Sequence, residues 1–344
     1  MQFPNPGQQS KKCSTGSAIP LCDAHFHLWD LHNRPNPNLG DATGHPLPVY
    51  QAADYLRDMY ELPEPLQLVS RVHVETIVGQ MEGGEPLDTV DETRWVYSQL
   101  KPTEVQQPFG IVAYVHLARD AIERARILEQ HIEVSSGRLC GVQMILNHHP
   151  DNPDLTWPQV EHGGFLRSTL FREGIALLED HNLSFDLSCN PHQIMDAVDV
   201  FREFPGVQVV VNHLGFLHDG ENDAHENLWR RGMRALAALP NIHMKLSMLW
   251  FARDGFHQDA DREAKVRSLV REVIDLFGCN RCMFASNYPV DKFNKISIGN
   301  LYNLFLAWSA DFSDTQRADL FHNTAVRAYN LGEMSRKATD NNPL

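Results

Sequence analysis

Short runs rich in Val, Ile and Phe alternate along the chain with longer stretches whose apolar residues recur at helical spacing. This ordering predicts parallel strands joined by crossover helices. Eight such runs occur, at residues 21–29, 68–76, 109–117, 139–146, 183–189, 207–215, 242–250 and 282–290. Helix-like stretches cover 88–100, 119–134, 165–181, 191–204, 224–239, 261–277 and 298–309. A last one, over 313–330, opens on a capping Ser and places Arg327 in its final turns. Eight strands, each followed by a helix, predict an α/β fold of the (β/α)8, TIM-like kind, because closure leaves neither sheet edge exposed. The connection after the first strand is long, and its string NRPNPNLGDATGHPLP is too rich in Pro and Asn for regular structure. It is expected to lie over the barrel mouth as a loop insertion. The competing topology, an open doubly wound sheet, calls for a glycine-rich phosphate turn after its first strand, where this chain has HFHLWD. The barrel is expected over 19–334, between a flexible N-terminal segment (1–18) and a polar C-terminal tail (335–344).

Composition narrows the partners. Lys and Arg number 30 against 44 Asp and Glu, a net charge of −14 that repels phosphate backbones and anionic headgroups. Neither nucleic acid nor a membrane surface is an expected partner; a small-molecule substrate is, and a homo-oligomer is compatible with the sequence. The six cysteines are scattered through a long chain, which points to a reducing compartment, and the Cys279–Cys282 CxxC reads as a turn entering an apolar strand. With no run of ~18 apolar residues and no signal-like N-terminus, a cytoplasmic location is expected. The count that stands out is 18 histidines.

In a barrel of this kind chemistry sits at the C-terminal ends of the strands. His25 and His27, two apart on the first strand, share a face, so their imidazoles converge on one volume that can hold a divalent metal or a polarised carbonyl. His213, in VVVNHLG, closes the sixth strand where the chain must turn at Gly215. Glu75 in VHVET and Asp186 in SFDLS are carboxylates among apolar strand neighbours, costly unless paired or working. Lys245 in HMKLS can face an anionic substrate or oxyanion, or be half of a buried ion pair with Asp186 or Glu75. Gln143 in GVQMI can hydrogen-bond a ligand. In the eighth run, Asn287 cannot remove a proton at neutral pH, whereas Asp291 can, if the chain folds back over the mouth after Pro289. As an alternative, Asp291 is a surface carboxylate facing Lys292.

The strings DAHFHLWD, VHVE, FPGVQVVVNHLG, NIHMKLS and RCMFASNYPVD together resemble the amidohydrolase superfamily, specifically the amidohydrolase-related (amidohydrolase 2) branch with its sugar-lactone and dicarboxylate-lactone hydrolases. The resemblance runs from about Leu21 to Leu331 and implies a distorted barrel with one mononuclear site or none. It makes His25 and His27 the first-strand pair and His213 the sixth-strand histidine, and these three the ligands of a divalent metal, zinc foremost, if one is bound. Asn287 stands where the superfamily usually has an Asp, and Gln143 where the branch often has an Arg for an anionic substrate. The expected reaction is hydrolysis of a lactone of a small organic or sugar acid. His25 and His27 would polarise the carbonyl, Lys245 would stabilise charge, Asp291 or His213 would activate water, and Asn287 would orient it. Glu75, Gln143, Asp186 and Lys245 are expected against the substrate. Two alternatives stay open: metal-dependent, non-oxidative decarboxylation of an aromatic or enoic acid, and a non-catalytic metabolite-binding barrel.

Overall fold

A computed structural model of the chain describes residues 18–332 apart from 37–38, 40–41, 77–85, 105–106 and 221–222. The expected N-terminal segment (except residue 18) and the C-terminal tail lie outside the described residues. Each of the eight runs overlaps a strand, the first two strands starting two residues before their runs. The strands are β1 (Ile19–Phe26), β2 (Leu66–Val74), β3 (Phe109–Tyr114), β4 (Leu139–Ile145), β5 (Ser184–Ser188), β6 (Val209–Val211), β7 (Ile242–Leu246) and β8 (Cys282–Phe284). They pair in chain order, all parallel, into one eight-stranded sheet.

β1 meets the chain leaving β8 through a Phe26–Tyr288 bridge and two backbone bonds, Asn287 N–H to His25 O at 2.8 Å and His27 N–H to Tyr288 O at 2.7 Å. The buried Asp23 carboxylate reinforces this seam. It accepts from the Ser286 N–H at 2.8 Å, the Ser286 hydroxyl at 2.7 Å and the Tyr55 hydroxyl at 2.9 Å. The seam thereby holds the first-strand histidines and Asn287 in fixed register, which is what a site built from both ends of the chain requires.

Period-2 alternation sorts the strand side chains. On β5, Phe185 and Leu187 pack into the helix-side core, leaving Ser184, Asp186 and Ser188 on the other face. On β7, Ile242, Met244 and Leu246 do the same and leave His243 and Lys245 opposite, with Ser247 just past the strand end. Ala325, Ala328 and Tyr329 from the last turns pack in a separate apolar cluster with Val72, Val112 and Val210.

The insertion after β1 is partly regular. Trp29–Asp30 pairs antiparallel with Val49–Tyr50, and a helix follows over Ala52–Met59. The sequence reading did not include that helix, whose capping box joins Gln51 and Asp54. Gln is not among the usual N-cap residues, so the start signal was weak.

Candidate active site

The strands stop short of the apolar runs, and the shortfall builds the mouth. β6 ends at Val211, after which His213, Leu214 and Phe216 take left-handed φ values of 53°, 52° and 53°. Met248, beyond β7, and Asn287, beyond β8, do likewise at 49° and 54°. Such backbone costs roughly 1–3 kcal/mol per non-glycine residue and concentrates at functional sites. Gly215 sits among them at φ 68°, where an added Cβ would lie 2.6 Å from Met233 Cε. Four of these residues, His213, Phe216, Met248 and Asn287, border one cavity of about 420 Å3. That volume lies in the range of small-ligand pockets.

His25, His27, Glu75, Gln143, His213 and Asn287 all line this cavity. The rings of His25 and His27 meet edge-on with centroids 4.8 Å apart, and those of His25 and His213 are 4.6 Å apart. The hydrogen bonds fix the tautomers in turn. His27 Nδ1 lies 2.9 Å from the Val74 carbonyl, which can only accept, so Nδ1 carries the proton and Nε2 a lone pair. His25 Nε2 lies 3.1 Å from that lone pair and donates to it. His25 Nδ1 is left to accept from the Lys245 ammonium at 3.1 Å. Lys245 also donates to Asp186 at 2.8 Å, and the Tyr329 hydroxyl donates to the same carboxylate at 2.9 Å. A continuous wire thus runs from the barrel interior to the mouth.

Burial, chiefly, lowers the pKa of all three histidines, with the Lys245 charge adding to the effect. His27 is held down to about 4, and His25 and His213 well below the usual imidazole value. All are therefore neutral at pH ~7 and able to act as bases or as neutral N–H donors. His213 Nδ1 bonds the Ser247 hydroxyl at 2.9 Å, which orients the ring from behind.

Two expected ligand contacts take a different place. Asp186 and Lys245 are fully buried and do not border the cavity; they form the ion pair behind His25 and reach the mouth through that ring. Period 2 turns both side chains to the inner face of the sheet, Asp186 two residues before the end of β5 and Lys245 one residue before the end of β7, beneath the His25 ring that caps them. Asp291 also lies behind the wall. The chain does turn back after Pro289, but Asn287 stands between, its Nδ2 donating to Asp291 Oδ1 at 2.7 Å. Trp250 Nε1 donates to the same oxygen at 3.1 Å, and burial raises the Asp291 pKa to about 7. Glu75 Oε1 accepts from Gln143 Nε2 at 2.8 Å, and Asn212 donates to Gln143 Oε1 at 3.0 Å.

Sequence reasoning missed Ser247, Asn212, Asp23 and Trp157. Ser247 had a signal, since it falls two residues past Lys245 in the same period. Trp157, which borders the cavity from the loop after β4, had none, because that loop has no period.

A resident zinc ion can be tested against these bonds. The 3.1 Å between the two Nε2 atoms approaches the spacing of two nitrogens ~2.1 Å from one ion. However, His25 Nδ1 accepts from an ammonium, so its proton sits on Nε2 and no lone pair faces an ion. A zinc-binding histidine instead donates from its other nitrogen to a carboxylate or carbonyl. Asn287 occupies the eighth-strand position in place of a carboxylate. The donor set does not fit a tightly held catalytic zinc: the eighth-strand position offers an amide, and Glu75, the carboxylate that borders the cavity, accepts from Gln143. Among the described residues, a separate trio, His149, His192 and His225, brings ligand atoms within 4.8 Å of one another, outside the cavity. There His149 Nδ1 accepts the Asp151 and Asn152 N–H groups at 3.2 and 2.9 Å, which puts its proton on Nε2 as well.

A parallel barrel whose seam brings histidines of the first and sixth strands to one mouth defines a hydrolase-type barrel of the amidohydrolase kind. The family model described as amidohydrolase matches residues 22–331, and the chain belongs to that family. It is 32% identical over 324 residues to an L-fucono-1,5-lactonase of Burkholderia ambifaria, covering 91% of this chain and 96% of that one. It is 31% identical over 325 residues to an uncharacterized protein, y4mH, of Sinorhizobium fredii, covering 92% and 100%. Its fold matches that of an amidohydrolase from Burkholderia multivorans solved with bound zinc, at TM-score 0.71 and 22% identity over 90% of this chain and 99% of the other.

Proposed function

We propose that the protein hydrolyses a lactone, with neutral imidazoles supplying both the electrophile and the base. The carrying observation is the hydrogen bond between His25 Nε2 and His27 Nε2, which faces the cavity. An entering ester carbonyl exchanges that bond for its own: His25 Nε2–H donates to the carbonyl oxygen, where negative charge builds as water attacks. The Lys245 ammonium behind His25 strengthens this donor without touching substrate. His213 takes the proton of the attacking water and returns it to the ring oxygen as the acyl C–O bond breaks, giving a hydroxy acid. Asn287, held by Asp291, orients water or substrate. Likeness to lactonases supports the reaction class.

The test is acid release from a δ-lactone at constant pH after exhaustive chelation. Turnover by the chelated wild type and a loss of ~10²–10⁴-fold in His213→Asn are expected. Full activity in His213→Asn would remove it as the base.

A further inference from the structure

We infer that the ester opened here is uncharged and carries a bulky apolar substituent, an aryl or branched alkyl group, rather than the hydroxyls of a sugar lactone or the carboxylates of an acidic one. The inference rests on the hydrolase reading of the same cavity and adds its substrate class.

The cavity is divided by chemistry. Its polar groups sit at or just past the strand ends: the three histidines, Glu75, Thr76, Gln143, Ser188 and Asn287. Its remaining wall comes largely from the loops and is apolar, including Trp29, Leu39, Trp157, Pro158, Phe216 and Val290. Phe216 stacks edge-on to His213 with centroids 5.2 Å apart, and Trp157 continues the wall from Phe216 at 6.4 Å. An aromatic surface therefore starts at the proposed base and leads away from the reacting carbonyl.

The polar floor has little capacity left for hydroxyls. Gln143 spends its amide on Glu75 and Asn212, Asn287 donates to Asp291, His213 bonds Ser247, the Thr76 hydroxyl donates to Glu92, and the Ser188 hydroxyl accepts from Asn212. A ring hydroxyl placed against the loop wall would lose water and gain no partner. A carboxylate fares worse. Among the described residues bordering the cavity none is Lys or Arg, and Glu75 is an acid. The nearby ammonium of Lys245 is buried behind His25 and already held by Asp186. What remains satisfied is one ester group on the floor and an apolar body along Phe216 and Trp157, whose burial supplies the binding energy.

The experiment compares kcat/KM of the chelated wild type for three esters: a δ-valerolactone bearing a phenyl group, an aldono-δ-lactone, and a pyrone dicarboxylate. A preference of ~10²-fold or more for the phenyl lactone is expected. Trp157→Ala should cut the ratio of phenyl-substituted to unsubstituted δ-valerolactone rates by ~10-fold. Equal or faster turnover of the aldono-lactone or the dicarboxylate overturns the inference and leaves the hydrolase reading standing. If no lactone is opened, binding of the matching phenyl lactam, read by calorimetry, separates the two. A lactam bound ~10-fold or more tighter than its unsubstituted parent supports the apolar-ligand inference while the hydrolase reading fails. Equal binding overturns the inference too.

Discussion

The Asp291→Asn substitution probes whether the eighth-strand acid works as a charge or as a neutral anchor. In the wild type the carboxyl is fully buried, Oδ1 accepts from Asn287 and Trp250, and Oδ2 has no partner among the described residues. Burial therefore raises its pKa from 3.8 to about 7. A raised acid binds its proton more tightly in the folded state, so its stabilising contribution is complete below pH 3.8 and is lost as pH rises toward about 7. An amide does not titrate. The stability of Asp291→Asn relative to wild type should thus rise by ~1.4 kcal/mol per pH unit across that window and level off above it. The accumulated difference is on the order of 4 kcal/mol as an upper bound, because a buried site relaxes around its charge. Urea unfolding of both proteins between about pH 5 and about pH 8 reads the slope. A difference that is constant, or that falls with pH, would show that Asp291 is ionised and paired and would refute the reasoning. In the same variant kcat/KM should fall by less than ~10-fold, since the amide oxygen still accepts from Asn287; a fall of ~10²-fold or more would identify Asp291 as the base.

Other outcomes follow from the same bonds. Lys245→Met should destabilise the fold by ~3–5 kcal/mol, because Asp186 keeps a buried charge without its cation, and the Asp186→Leu/Lys245→Met double variant should recover most of that loss in urea unfolding. Burial holds the His213 pKa well below 6.5, so its base form persists there, and kcat/KM should stay flat from about pH 8 to about pH 6, turning down only at lower pH. A limb near neutrality would assign the base elsewhere. Exhaustive chelation should leave kcat/KM within ~2-fold, and added zinc should not raise it; a loss of ~10²-fold restored by zinc would contradict the misfit of the donor set.

The eight strands were legible because each is a short apolar run between stretches of helical period, and the helix-side core reads directly from that alternation. His25, His27 and His213 were legible as polar interruptions near strand ends. Depth was harder to read. Period 2 places Lys245 and Asp186 on the inner face but does not say how far below the rim, and the structure sets both behind His25. Asp291 depended on one turn after Pro289, which local pattern does not determine. Residues that act across long chain separations were invisible, as with Tyr329 on Asp186 and Asp23 on Ser286. The apolar wall was illegible for a different reason: Trp157 and Pro158 lie in a loop where neither helical nor strand period applies.

The most direct measurement is titration of the acid released when chelated protein meets a neutral δ-lactone, run on wild type, His25→Asn and His213→Asn side by side. If buried neutral imidazoles open the ring, wild type releases one acid per lactone consumed and each variant is slower by ~10²-fold or more. Unchanged release by both variants, or none from any lactone by wild type, would contradict it.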